Sequence, residues 1–208
     1  VAPKVLPKDF ILHYRTNNQP KDNKIFLLGK NGDTIFKKSP TTLENTTLYT
    51  DTISLKEGKY ELCLTDSAGD GLEFWYKTKQ GDGYLRLFDL KGNLIHAFES
   101  DCGNGEKLSF EASTNLNEEV SKGIHAFSLF PRLVSSKTEL NVVSNQSRQM
   151  TVLFSTNGII HEKYEYAAVK NGLFSYNLDK LPEGRIIIEV LMDGVSQFKA
   201  RLNKEKLK

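Results

Sequence analysis

Two cysteines, two methionines and a single tryptophan are scattered through 208 residues. With so few thiols, and no histidine at ligand spacing from either, a zinc centre is not expected. An excess of one charge is also missing, since 28 Lys and Arg stand against 26 Asp and Glu. That balance argues against a nucleic-acid binder working by counterion release. Only Arg201–Lys208 is clearly basic, and it reads as a solvated terminus. No apolar run approaches the roughly 20 residues that a membrane-spanning helix needs. Helical periodicity is scarce too. Its nearest candidate, Asn115–Lys122 behind a capping Thr114, is short and polar and reads as a linker. His13, His96, His125 and His161 lie far apart, and none sits in an HExxH or GxSxG setting. A catalytic centre is therefore not expected. The chain opens Val1-Ala2-Pro3 without methionine, as a processed piece would.

What the chain does have is strand. Val, Ile, Thr, Tyr and Phe are frequent, and Asn and Gly punctuate them at short intervals. Asp9–Arg15, Lys24–Gly29, Asp33–Lys37, Leu48–Leu55, Tyr60–Thr65, Leu72–Lys77, Tyr84–Phe88, Asn93–Phe98 and Lys107–Glu111 read as short strands. Lys30-Asn31-Gly32 marks a hairpin, because both of its last residues tolerate positive φ. Such regular spacing without helices predicts a jelly-roll-like β-sandwich over 1–114. A linker over 115–125 follows. The pattern then restarts on a smaller scale over 126–208. There Glu139–Val143, Met150–Ser155, Ile159–Tyr166, Leu173–Leu178, Arg185–Leu191 and Ser196–Leu202 predict an immunoglobulin-like sandwich. The fold class expected is all-β throughout.

The densest chemistry lies in Tyr60–Gly83, where a strand runs into Asp66-Ser67-Ala68-Gly69-Asp70-Gly71. Calcium takes hard oxygens from carboxylates and carbonyls on a loop that glycines let fold tightly. Asp66, Asp70 and Gly71 fit positions 1, 5 and 6 of an EF-hand loop, but Ala68 and Lys77 break the pattern. Asp101, from a separate loop, is the candidate third carboxylate for a calcium site. The competing reading is that Asp and Gly simply build a turn. Trp75 and Tyr76 are adjacent, so on a strand one faces the core and the other solvent. An exposed ring beside carboxylates such as Asp82 would make a sugar platform, with core packing as the alternative.

Phe130-Pro131, Leu140-Asn141-Val142, Ser155-Thr156-Asn157-Gly158, and Asn177–Gly184 running into Arg185–Val190 resemble the carboxy-terminal sorting domain of type IX secretion cargo. The family usually opens Asn-Pro and places an aromatic after its Leu-Pro-x-Gly turn, where this chain has Phe130 and Arg185. The resemblance covers roughly 126–208 and implies export from a Bacteroidetes-type bacterium. Gly58–Leu62, Thr65–Leu72, Trp75 and Phe98–Gly103 are similar to an accessory module of such secreted proteins, one often attached to peptidases or peptide-N-glycosidase F-like enzymes. In an exported protein Cys63 and Cys102 would be expected to join, and two separate buried thiols are the alternative. The function expected is a non-catalytic, secreted or cell-surface binding or accessory module for a glycan or a surface partner. The rivals are part of a peptide-N-glycosidase F-like hydrolase and a structural spacer with a sorting tail.

Overall fold

The computed structural model describes residues 4–74, 76–114 and 123–205. Among them the chain is built of strands, with three short 3-10 turns and no α-helix, so the all-β sandwich class holds. No helix is long and apolar enough to cross a membrane among the described residues. Two compact units divide the chain: residues 1–74 with 79–122, and residues 123–208 with 75–78. The capped segment expected after Thr114 lies outside the described residues.

The described residues of the front unit form nine strands: β1 (Lys4–Pro7), β2 (Asp9–Arg15), β3 (Asn23–Gly29), β4 (Thr34–Lys38), β5 (Leu48–Ser54), β6 (Gly58–Asp66), β7 (Tyr84–Phe88), β8 (Leu94–Ala97) and β9 (Gly105–Ser113). They form a five-stranded sheet, β1-β9-β6-β3-β4, and a four-stranded one, β5-β2-β7-β8. Alternation decides what lies between them. In β2, Phe10, Leu12 and Tyr14 turn inward, while Asp9, Ile11, His13 and Arg15 are half-buried. Leu62 and Leu64 of β6, Ile25 and Leu27 of β3, and Leu85 and Leu87 of β7 meet them in one core. Each such side chain contributes about 1.5–3 kcal/mol on burial.

The strand expected over Leu72–Lys77 does not form among its described residues. The backbone N–H groups of Leu72 and Glu73 both bond to the carbonyl of Ser100, at 2.7 and 3.0 Å, and the carbonyl of Leu72 accepts from Gly83 at 2.9 Å. These bonds hold the start of the segment as a loop against two other loops, which leaves it no ladder to join.

β1 pairs in parallel with β9 at the sheet edge, and its first residue reaches the other sheet. Lys4 Nζ lies 3.0 Å from His96 Nδ1 on β8. Burial first, and the Lys4 ammonium second, push the His96 imidazole down to about 4. A base whose folded pKa is depressed binds its proton more readily when unfolded, so stability is full above the unfolded value near 6.5 and is lost on acidification toward 4. Between those limits the front unit is expected to lose on the order of 2–3 kcal/mol on this account. His96→Gln should flatten that part of the pH–stability curve in urea titrations. An unchanged slope would dismiss the Lys4–His96 contact as its source.

The rear unit contains β10 (His125–Phe130), β11 (Leu133–Val134), β12 (Lys137–Thr156), β13 (Ile159–Asn177), β14 (Gly184–Met192) and β15 (Val195–Lys204). Where four separate strands are expected between Glu139 and Leu178, there is one hairpin of 20- and 19-residue strands. The stretches between the expected strands do not end it because side chains satisfy the irregular backbone. Ser144 N–H donates to Asn171 Oδ1 at 3.3 Å, Gln146 N–H to Ser144 Oγ at 3.2 Å, and Gln149 N–H to Asp193 Oδ1 at 3.0 Å. The register shifts between Val143 and Met150 leave the inward phase unchanged, so Leu140, Val142, Met150, Val152 and Phe154 all face one core. β12 pairs with β10, β13 and β14, making a single six-stranded sheet.

Candidate functional site

The inward phase of β6 runs Leu62, Leu64, Asp66, so the alternation that buries two leucines also carries a carboxylate inside. Asp66 is only 4% exposed. Its Oδ1 accepts from the N–H groups of Ala68 at 2.8 Å and Gly69 at 3.3 Å, which closes an Asx turn. Gly69 and Gly71 complete the bend at φ +74° and +71°. A Cβ on Gly71 would lie 2.6 Å from the Ser100 carbonyl oxygen and 2.8 Å from the Cys102 nitrogen, so only glycine lets the turn press on that loop. Asp66 N–H donates to the Asn104 carbonyl at 2.9 Å, and Ser67 N–H to the Asp22 carbonyl at 2.9 Å. Residues 22–23, 66–73 and 100–104 are thereby laced together at one end of the front unit.

Electronegative groups collect there. Burial pushes the Asp66 carboxyl above its ordinary range, and the neighbouring charge of Asp70 adds to the rise; the N–H groups of Ala68, Gly69 and Gly71 oppose it. Asp70 is 5% exposed and accepts from Gln80 Nε2 at 2.9 Å through Oδ2. Tyr14 donates its hydroxyl to Asn23 Oδ1 at 3.2 Å, and burial, with help from Asp66, raises its pKa. The thiol of Cys102 is pushed up to about 11, mainly by burial. Glu73, 1% exposed, lies at the end of the same turn. Asp66 Oδ2 and Asn23 Nδ2 are buried without a hydrogen-bond partner among the described residues. Such a site can accept a donor or a cation.

The structure brings together only part of the expected set. Asp66 and Asp70 share the turn, but Asp101 is exposed. No three His, Cys, Asp or Glu side chains gather as a metal set among the described residues. The loop that carries Asp101 does meet the turn, through the Ser100 carbonyl and the Cys102 backbone. Tyr76 is 65% exposed, and Asp82 pairs with Arg15 at 3.6 Å. Trp75 lies outside the described residues.

Cys63 and Cys102 are not joined, which corrects the expected disulfide. Leu62 and Leu64 face the core, so Cys63 faces the other side of β6, where its thiol donates to Glu61 Oε1 at 3.2 Å. Cys102 packs against the core side instead. The two sulfurs thus stand on opposite faces of one sheet. Among residues that sequence reasoning missed, Asn23 and Tyr14 matter most. Asn23 falls one position before the strand read from the sequence, and Tyr14 lies within the strand read over Asp9–Arg15.

No family model and no curated protein matches the chain. Among solved structures it is similar to dimeric latent PorU from Porphyromonas gingivalis, with 10% identity and a TM-score of 0.49. That likeness covers 100% of this chain and 19% of PorU, so the chain spans about a fifth of that protein's length.

Proposed function

We propose that this chain is a non-catalytic module of an exported protein, used at the cell surface to hold a glycan or a surface partner, with a type IX sorting-like tail as its rear unit. The observation that supports it is the ring of Tyr76, 65% exposed. A phenol ring offers an apolar face for a sugar, and adjacent polar groups supply partners for its hydroxyls.

A glycan array with the intact chain tests this. Wild type is expected to retain a defined set of sugars, and Tyr76→Ala to lose at least 10-fold in affinity, the equivalent of about 1.4 kcal/mol. Equal signals from the two proteins, or none from wild type, would remove the glycan reading. Release of glycan from glycopeptides would instead favour the hydrolase reading. Export of the chain after deletion of 126–208 would remove the sorting role of the tail.

A further inference from the structure

Asp66 of β6 and Asn23 of β3 stand directly opposite one another in the sheet register, with their side chains on the inward face. They are 4% and 1% exposed, and each is half satisfied. Asp66 spends Oδ1 on the turn, and Asn23 Oδ1 takes the Tyr14 hydroxyl; Asp66 Oδ2 and Asn23 Nδ2 have no hydrogen-bond partner among the described residues. A carboxylate oxygen can only accept, whereas the Asn amide can exchange its two ends. Exchanged, Nδ2 donates to the Tyr14 oxygen and Oδ1 takes the position opposite Asp66. Asp70 stands near enough for its charge to act on Asp66. With the amide so exchanged, Asp66 and Asp70 from the glycine-shaped turn and Asn23 from β3 offer oxygen donors only.

We propose that Asp66 and Asn23, together with Asp70, hold a hard divalent cation of the calcium class at the base of the acidic turn. Calcium fits better than magnesium because it sheds water readily and accepts irregular oxygen cages. The two carboxylates balance its charge. Asp101 takes no part. This assignment stands apart from the glycan reading, since its readout is the stability of the front unit.

The test uses the intact chain, stripped with chelator and then melted in CaCl2, MgCl2 or KCl, with binding heats recorded alongside. Calcium at a hundredfold excess over its dissociation constant is expected to raise the front unit's transition by on the order of 10 °C. Asp66→Asn keeps the Oδ1 acceptor of the turn, so it should fold and be no less stable than wild type in chelator, yet lose the calcium response. Asn23→Asp should melt lower in chelator and gain more from calcium, and Asp101→Asn should respond as wild type does. Should Asp66→Asn fail to fold, the opposite-signed behaviour of Asn23→Asp still decides. A wild-type melt unchanged between chelator and calcium would overturn the proposal. So would a full response from Asp66→Asn, a lost response in Asp101→Asn, or equal rises with potassium and calcium.

Discussion

Gly105→Ala is expected to destabilise the front unit by about 4 kcal/mol, combining left-handed backbone strain with a direct clash. Gly105 opens β9 at φ +128°, opposite Thr65 in the β6–β9 ladder. A Cβ there would sit 2.1 Å from the Leu64 carbonyl oxygen and 2.8 Å from the Thr65 Cα. Both are backbone atoms of a central strand, so no rotamer change can make room. Relief requires β9 to move off β6, and that movement breaks two things at once. It opens the ladder beside the core residues Leu62 and Leu64, and it displaces the 100–104 loop, which Gly105 N–H ties through the Cys102 carbonyl at 3.1 Å. Gly92→Ala is the matched control. Gly92 also has positive φ, +81°, but no atom lies within 4 Å of its would-be Cβ, so about 1 kcal/mol is expected from backbone strain alone. Hydrogen exchange of β6 and β9 amides during urea unfolding separates the two, with the rear unit's amides as internal reference. If Gly105→Ala loses no more than Gly92→Ala, the close approach of β9 to β6 is not as described.

The same β6–β9 contact shows what could be read from the sequence. Period-two alternation is a local signal, so the strand at Leu48–Ser54 and the Asn-Gly hairpin after β3 emerge from the residues themselves. The acidic turn does too, because Asp and Gly fix its backbone wherever it sits. Which residues stand opposite the turn is a matter of register between distant segments. Asn23 lies just before the strand read over Lys24–Gly29, yet pairing β3 with β6 sets it against Asp66. The loop that carries Asp101 meets the turn through the Ser100 carbonyl, a backbone contact that no side-chain pattern announces. The expected disulfide failed for a reason the sequence did contain. Cys63 lies between Leu62 and Leu64, so the alternation that buries the leucines turns its thiol away from the core where Cys102 packs. The merged hairpin of the rear unit was hidden differently. Ile159–Tyr166 and Leu173–Leu178 read as separate strands, and only the cross-strand bond from Ser144 N–H to Asn171 Oδ1 shows the strand carried onward between them.

Lys204 is the clearest case of a residue whose burial overrides its composition, and its replacement carries the second large effect. As part of a basic tail it reads as solvated, yet it is 9% exposed. Its Nζ donates to the carbonyls of Leu178 at 2.7 Å, Asp179 at 3.0 Å and Leu181 at 2.6 Å. An ammonium has three hydrogens, and three carbonyls of one turn take them all. Those carbonyls belong to Asn177–Leu181, whose Leu178 and Leu181 are themselves core residues, 0% and 3% exposed. Lys204→Met keeps the length and apolar stem and removes every donor. Orphaned buried carbonyls cost about 1–3 kcal/mol each, and rehydration of the outermost limits the sum, so the rear unit is expected to lose about 3–5 kcal/mol. Lys204→Arg should recover only part of this, because a planar guanidinium cannot point its donors at three oxygens that a tetrahedral ammonium reaches. Lys199→Met, on an exposed ion pair with Glu189, is the surface control and should cost well under about 1 kcal/mol. Calorimetric unfolding of the intact chain, with hydrogen exchange assigning the transition to β14 and β15, measures all three. A Lys204→Met protein as stable as Lys199→Met would mean that the turn holds its shape through its own Leu178 and Leu181 packing, and that the buried ammonium is a passenger.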